Sequence, residues 1–331
     1  MDKERISYLD IIRILACILI ILVHSPMPNL GTNSFLLSSI SFLAAPGIGL
    51  FFMVSGSLIL PVSMPYKDFL KRRISKVVWP TIIWTLFYIS INIYNGNLQL
   101  IDIPRTILSI PFSPQGNSVL WFVYSLIGLY LISPIISPWL IKASKKEIQF
   151  LLLIWAIHLC YPILKLFVST YEGPNSILYY FAGNIGYFIL GYYLKRFNVC
   201  PSYLKISFLF IVPITIAAIC KLSHLKIDFY DLFWFKSIFF VSIVLGWFLL
   251  TKRLTLHLHS NNLITTLSNC SFGVYLVHIF IMRNFLWNLN FISAYGGFIQ
   301  IILTTILTLG ISYLLVFMIS KLPFSKYIIG Y

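Results

Sequence analysis

Apolar stretches about as long as a bilayer is thick recur from one end of this chain to the other. A helix needs about 20 apolar residues to cross a hydrocarbon core of roughly 30 Å. Such stretches lie near residues 8–26, 43–61, 77–95, 119–140, 148–167, 176–194, 204–221, 234–251, 271–289 and 298–320. In lipid every backbone N–H and C=O must be satisfied internally, so runs of this length are read as helices. The expected fold is therefore all-α, a polytopic integral membrane bundle of about ten transmembrane helices. Composition agrees: 59% of the 331 residues are hydrophobic and 10% charged, against roughly 25% charged in soluble domains. Apolar runs leave no room for a separate soluble core, so one transmembrane domain over 1–331 is expected.

The formal net charge of +15 sits in short clusters between apolar runs rather than along one hydrophilic face, which excludes nucleic acid as a partner. Short cytoplasmic loops retain Lys and Arg. Lys3, Arg5, the 67–76 cluster, Lys142, Lys145, Lys146, Lys195, Arg196, Lys205, Lys252, Arg253, Lys321 and Lys326 all fall on one side if the first helix starts inside. Both termini are then expected in the cytoplasm. Met1–Arg5 and the apolar run after it superficially resemble a signal peptide. The run contains Arg13, however, and leads into His24-Ser25-Pro26-Met27-Pro28 without a small-x-small cleavage site, so an uncleaved helix is expected. The five cysteines are scattered and imply neither a disulfide framework nor a zinc site. The longest outward loop, about 96–118, is weakly charged and suits a carbohydrate or lipid-linked partner.

Ionisable side chains inside a membrane helix are costly and tend to face a cavity or a partner. The first run holds two, Arg13 and His24. Eleven residues at 100° each return to within about 20° of the same face and span roughly 16 Å. In one reading, a cationic site in the inner half is joined to a titratable site in the outer half, suiting an anionic donor from the cytoplasm and an acceptor at the other surface. Arginine grips phosphate or carbonyl oxygen by directed hydrogen bonds, and neutral histidine takes a proton from a hydroxyl. In the other, Arg13 snorkels to the inner headgroups and His24 sits at the outer interface.

Lys67, Lys71, Arg72, Arg73 and Lys76 place five charges just before the third run. They read either as a topology signal with anionic-lipid contact or as a docking site for a phosphorylated cofactor. His278 and Arg283 lie about 140° apart on a helix, and for His278 structural hydrogen bonding and function both stay open. His158 reads as an interhelical hydrogen-bonding residue, and His257 and His259 as solvated side chains without the companions of a metal site. Asp10, Glu147, Glu172, Asp228 and Asp231 form no intramembrane pair, which argues against a proton pump or a glycosidase dyad.

Several stretches, in order along nearly the whole chain, resemble the bacterial membrane acyltransferase family 3, and within it the glycan O-acetyltransferases such as those acting on enterobacterial common antigen. They are Tyr8-Leu9-Asp10-Ile11-Ile12-Arg13 with His24, Gly49-Leu50-Phe51-Phe52-Met53-Val54-Ser55-Gly56, Lys71-Arg72-Arg73 through Pro80, Leu120-Trp121-Phe122-Val123-Tyr124, and Ser271-Phe272-Gly273-Val274-Tyr275-Leu276-Val277-His278. The resemblance implies a multi-pass protein of the bacterial inner (cytoplasmic) membrane. It would move an acyl group, usually acetyl, from cytoplasmic acyl-CoA to a hydroxyl of an envelope or surface glycan or lipid-linked saccharide, with no metal.

By the same resemblance His24 is the catalytic histidine and Arg13 the donor-side arginine. Lys71, Arg72, Arg73 and Lys76 would bind the donor, whose pantetheine arm would run along the first helix toward His24. Ser55, Trp121, Tyr124 and His278 are candidates for substrate or transition-state contacts. Some relatives append an extracytoplasmic domain; here the membrane domain is expected to act alone or to hand the acyl group to a separate protein. A transporter or flippase for a lipid-linked glycan is the competing class, although no Gly/Pro-broken helix pairs suggest a carrier.

Overall fold

The computed structural model describes residues 6–27, 35–169, 173, 175–222, 232–235, 237–259, 261–295 and 297–330. Lys3, Arg5, Glu172, Asp228 and Asp231 lie outside the described residues. Among those described, the regular structure is helical: α1 (Ser7–His24), α2 (Phe35–Ala44), α3 (Gly47–Ile59), α4 (Tyr66–Tyr94), α5 (Ile103–Ser109), α6 (Trp121–Lys142), α7 (Lys145–His158), α8 (Tyr161–Leu164), α9 (Ile185–Arg196), α10 (Tyr203–Leu222), α11 (Ile238–Thr255), α12 (Asn262–Asn284), α13 (Asn290–Ser293), α14 (Gly297–Ser320) and α15 (Ser325–Ile328). Nine helical stretches among the described residues are long and apolar enough to cross a membrane, so the chain is a polytopic membrane helical bundle.

Local chemistry explains where these helices start and how they tolerate polar residues. Ser144 and Glu147 form a capping box at α7, with Ser144 N–H donating to Glu147 Oε2 at 2.7 Å and Glu147 N–H to Ser144 Oγ at 3.3 Å. Ser237 caps α11 by accepting from Phe239 N–H at 3.1 Å. Within apolar helices, hydroxyls return their proton to the carbonyl four residues back, as Thr81 does to Val77 and Ser133 to Leu129, both at 2.6 Å.

The chain divides into two compact units. The first comprises Met1–Leu60, Trp139–Ser268 and Gly296–Ile302, and the α3–α9 pair is its centre. A Cβ on Gly56 would lie 1.8 Å from Phe188 O, and one on Gly191 would lie 1.9 Å from Met53 O, so only glycine lets the two backbones meet. Ser57 Oγ lies 2.9 Å from Met53 O and 2.7 Å from Gly191 O, and Lys195 Nζ donates to Ser57 O at 2.7 Å. The stretch Leu37–Ile59, covering α2 and α3, is 83% buried, whereas the α10 stretch is 11% buried and presents apolar side chains outward as a lipid-facing helix does.

The run at 176–194 is not one long helix. A 3₁₀ turn at Tyr179–Phe181 and Gly183, with φ of +91°, precede α9, which has twelve residues. At 1.5 Å per residue α9 is roughly 18 Å long, short of a bilayer core. It nevertheless runs back beside α7: Gln149 Nε2 donates to Tyr193 Oη at 2.8 Å, and Lys145 Nζ lies 5.6 Å from the Phe197 ring centroid. The end of α9 thus meets the start of α7. Arg196 Nη1 donates to Leu140 O at 2.6 Å at the same end. With twelve residues, α9 is not among the nine described stretches long enough to cross a membrane.

The second unit comprises Pro61–Pro138, Asn269–Tyr295 and Leu303–Tyr331. An aromatic cluster of Trp84, Phe87, Tyr88 and Phe280 joins α4 to α12, with Phe87 edge-on to Phe280 at 4.9 Å. Tyr88 Oη donates to Leu276 O at 2.8 Å. Asn92 Nδ2 donates to Gly116 O at 2.7 Å, tying the loop before α6 to α4.

Candidate active site

Ser7–His24 is one uninterrupted α-helix, so Arg13 and His24 stand on nearly the same face, separated by roughly 16 Å along the axis. Both are half-buried. α1 lies against α3, where a Cβ on Gly47 would sit 2.8 Å from Ala16 O.

Each end of α1 is held by a buried polar contact. Near Arg13, Asp10 is 7% exposed and its Oδ1 accepts from the buried Ser268 hydroxyl of α12 at 2.6 Å. A carboxylate removed from water needs such a donor. At the other end, Ser25 follows His24, is fully buried, and returns its hydroxyl proton to Ile21 O at 2.7 Å. The Ser25 carbonyl accepts from Gln300 Nε2 at 3.2 Å, and Gln300 is itself buried in the first turn of α14. These contacts set the axial position and rotation of the helix bearing both candidates. Ser55 is half-buried on α3 in the same unit, where its neighbour Ser57 makes the interhelical bond.

Cations gather where α1 begins. Lys252, 1% exposed, donates to Leu194 O at 3.3 Å, Asn198 Oδ1 at 3.0 Å and Val199 O at 3.0 Å, with Nζ 5.4 Å from the Tyr8 ring centroid. The three protons of the ammonium thus meet three acceptors. Arg253 donates to Pro201 O at 2.8 Å and stacks on Tyr203. Lys195, Arg196 and Lys252 bind backbone carbonyls in the last turns of α3, α6 and α9, where cations offset the helix dipole.

In the second unit, Lys71, Arg72 and Lys76 are exposed and Arg73 half-buried on the first turns of α4. Arg72, Lys76 and Trp79 follow at i, i+4 and i+7 and form one stripe. His278 is fully buried on α12, with Nδ1 2.6 Å from Tyr275 O. A carbonyl can only accept, so in the neutral ring Nδ1 carries the proton and Nε2 the lone pair. Tyr275 Oη donates to Val119 O just before α6, and its ring is edge-on to Phe122 at 5.2 Å. Tyr124 Oη donates to Ile110 O at 2.6 Å, and Trp121 is half-buried at the start of α6.

The candidates therefore fall into two groups: Arg13, His24 and Ser55 in the first unit, and the α4 cations, Trp121, Tyr124 and His278 in the second. His158 is buried with its ring edge-on to Tyr161, while His257 and His259 are exposed. Among the described residues no cluster of His, Cys, Asp or Glu is arranged to hold a metal ion. Sequence reasoning read Lys252 only as a topology cation and passed over Ser268 and Gln300. Of these, Gln300 alone carried a signal, as an amide in an otherwise apolar first turn.

The chain was compared with known proteins. No curated protein and no solved structure matches it. Residues 6–317 match the family model of the acyltransferase 3 domain, described as an acyltransferase domain. That interval contains every one of these candidates, and together with the helices long enough to span a membrane it shows that the chain belongs to the acyltransferase 3 family of membrane acyltransferases.

Proposed function

We propose that this protein is a membrane O-acyltransferase of the bacterial inner membrane that moves an acyl group, usually acetyl, from cytoplasmic acyl-CoA to a hydroxyl of an envelope or surface glycan. The observation that carries this reading is the pairing of Arg13 and His24 on one face of a continuous helix clamped at both ends. In direct transfer, His24 takes the proton of the acceptor hydroxyl as its oxygen bonds to the thioester carbonyl carbon. The C–S bond then breaks, and the coenzyme A thiolate leaves and is protonated. An acyl-histidine route, in which His24 first forms the bond to the carbonyl carbon, fits the same residues. Arg13, roughly 16 Å along the helix axis from His24, is too distant for the oxyanion formed at His24 and binds the donor's phosphate. Lys71, Arg72, Arg73 and Lys76 hold the donor's phosphates by charge-assisted hydrogen bonds. Ser55, Trp121, Tyr124 and His278 are assigned to substrate or transition-state contacts.

Mass spectrometry of surface glycans from cells expressing wild-type, His24→Ala and Arg13→Ala proteins at matched membrane levels tests the reading. An acyl mass increment seen only with wild type is expected. Equal glycan masses in all three, with a changed amount of glycan at the surface, would instead identify an exporter of a lipid-linked saccharide.

A further inference from the structure

We propose that the segment Ser325–Gly330, which follows α14, is a working part of the donor site: it fixes the basic turn of α4 and supplies Lys326 as an additional phosphate-binding cation. The proposal rests on the reading of the α4 cations as the donor's docking group.

The anchoring begins with Pro80. A proline inside a helix has no N–H, so the carbonyl of Lys76, four residues earlier, loses its intrahelical partner. Gly330 packs against that oxygen: its φ is +75°, and a Cβ there would lie 2.4 Å from Lys76 O. The conformation and the space both require glycine. Beside it Ile329, 1% exposed, packs on α12, where a Cβ on Gly273 would lie 3.0 Å from the Ile329 Cβ. Trp84 Nε1 donates to Ile328 O at 2.9 Å, and Tyr327 is edge-on to Trp79 at 6.4 Å. Successive residues of one short segment thus hold α4 at Lys76, Trp79 and Trp84.

The same geometry places Lys326. Its Nζ lies 4.8 Å from the centroid of the Tyr327 ring, which itself contacts Trp79. Trp79 is one turn beyond Lys76 on the Arg72–Lys76 stripe. Lys326 is exposed, and its ammonium can turn from the ring to an arriving anion. Coenzyme A carries a diphosphate and a separate ribose phosphate, so it can engage cations from two chain segments at once. An anionic lipid headgroup shares the phosphate chemistry and is separated by the experiment.

The test measures coenzyme A binding by isothermal titration calorimetry to the full chain in nanodiscs of zwitterionic lipid. Arg72→Ala and Lys326→Met are each expected to raise Kd about 3- to 5-fold, the size of one exposed charge contact. Gly330→Ala is expected to raise it through displacement of the Lys76 turn, while Lys326→Met leaves the thermal midpoint unchanged. If Arg72→Ala and Lys76→Ala weaken binding but Lys326→Met and Gly330→Ala do not, the proposed role of the segment is overturned and the donor reading stands. If Arg72→Ala and Lys76→Ala bind coenzyme A as wild type does, both are overturned. A Lys326→Met effect confined to anionic-lipid discs would assign Lys326 to headgroups and overturn the proposal.

Discussion

Lys252 illustrates what a protein interior demands of a charge. Its ammonium is sealed from solvent and matched proton for proton to acceptors contributed by the end of α9 and the turn after it. Lys252→Met would take this donor from Asn198 Oδ1 and Val199 O, while Leu194 O keeps the Val199 N–H. It is expected to lower stability by about 1–3 kcal/mol, read as a drop in the detergent melting midpoint. Under the proposed function His24 makes a different prediction, because its ring would take the proton of the acceptor hydroxyl. His24→Ala is expected to cut transfer about 10²- to 10⁴-fold, the range of a general base, with the melting midpoint held. Gln300→Leu separates positioning from chemistry. It removes the donor to Ser25 O beside His24, and a displaced base is expected to lower kcat about 10-fold or more with KM for acyl-CoA unchanged, measured by steady-state kinetics. The Arg13–His24 face was legible from the sequence because helical periodicity is a local rule. The partners of α1 were not, because Ser268 and Gln300 lie 258 and 275 residues from Asp10 and Ser25 and are delivered only by folding.

At the scale of elements, the α3–α9 contact carries the first unit. Gly191→Ala forces a Cβ to within 1.9 Å of Met53 O, and neither backbone can retreat without breaking the Ser57 contacts. A loss of about 1–3 kcal/mol is expected, the usual cost of overpacking, visible as reduced yield of folded protein on size-exclusion chromatography. Gly310→Ala, where a Cβ meets nothing within 4 Å, is expected to be neutral in the same assay. The 176–194 run shows where periodicity misleads. Hydropathy counts apolar side chains but does not register the turn at Tyr179–Phe181 or the left-handed Gly183 that shorten the helix. A short helix serves here because much of it is buried among its neighbours: Tyr187, Phe188, Ile189, Tyr192 and Leu194 are all buried.

For the whole molecule, the expectation is that the basic clusters face the cytoplasm and the 96–118 loop faces outward. In a cysteine-free background, a cysteine at Phe112, 86% exposed, is expected to react with a membrane-impermeant maleimide in intact cells. Cysteines at Lys67 and Lys146 are expected to react only after permeabilisation. The opposite pattern would invert the proposed sides for donor and acceptor. The first unit already brings the start of α7 and the ends of α9 and α11 together with Lys145, Lys195, Arg196, Lys252 and Arg253.

The sequence by itself determined the class of fold, nine of the ten expected spans in their order and the shared face of Arg13 and His24, because membrane thickness and helical period act on short stretches of chain. Tertiary structure decided which cations hold carbonyls and which stay exposed, which glycines are contact points, and what fixes α1 and α4. Those outcomes depend on carbonyls, hydroxyls and rings brought together from distant segments, where the cost of an unsatisfied polar group in a dry interior selects the partner.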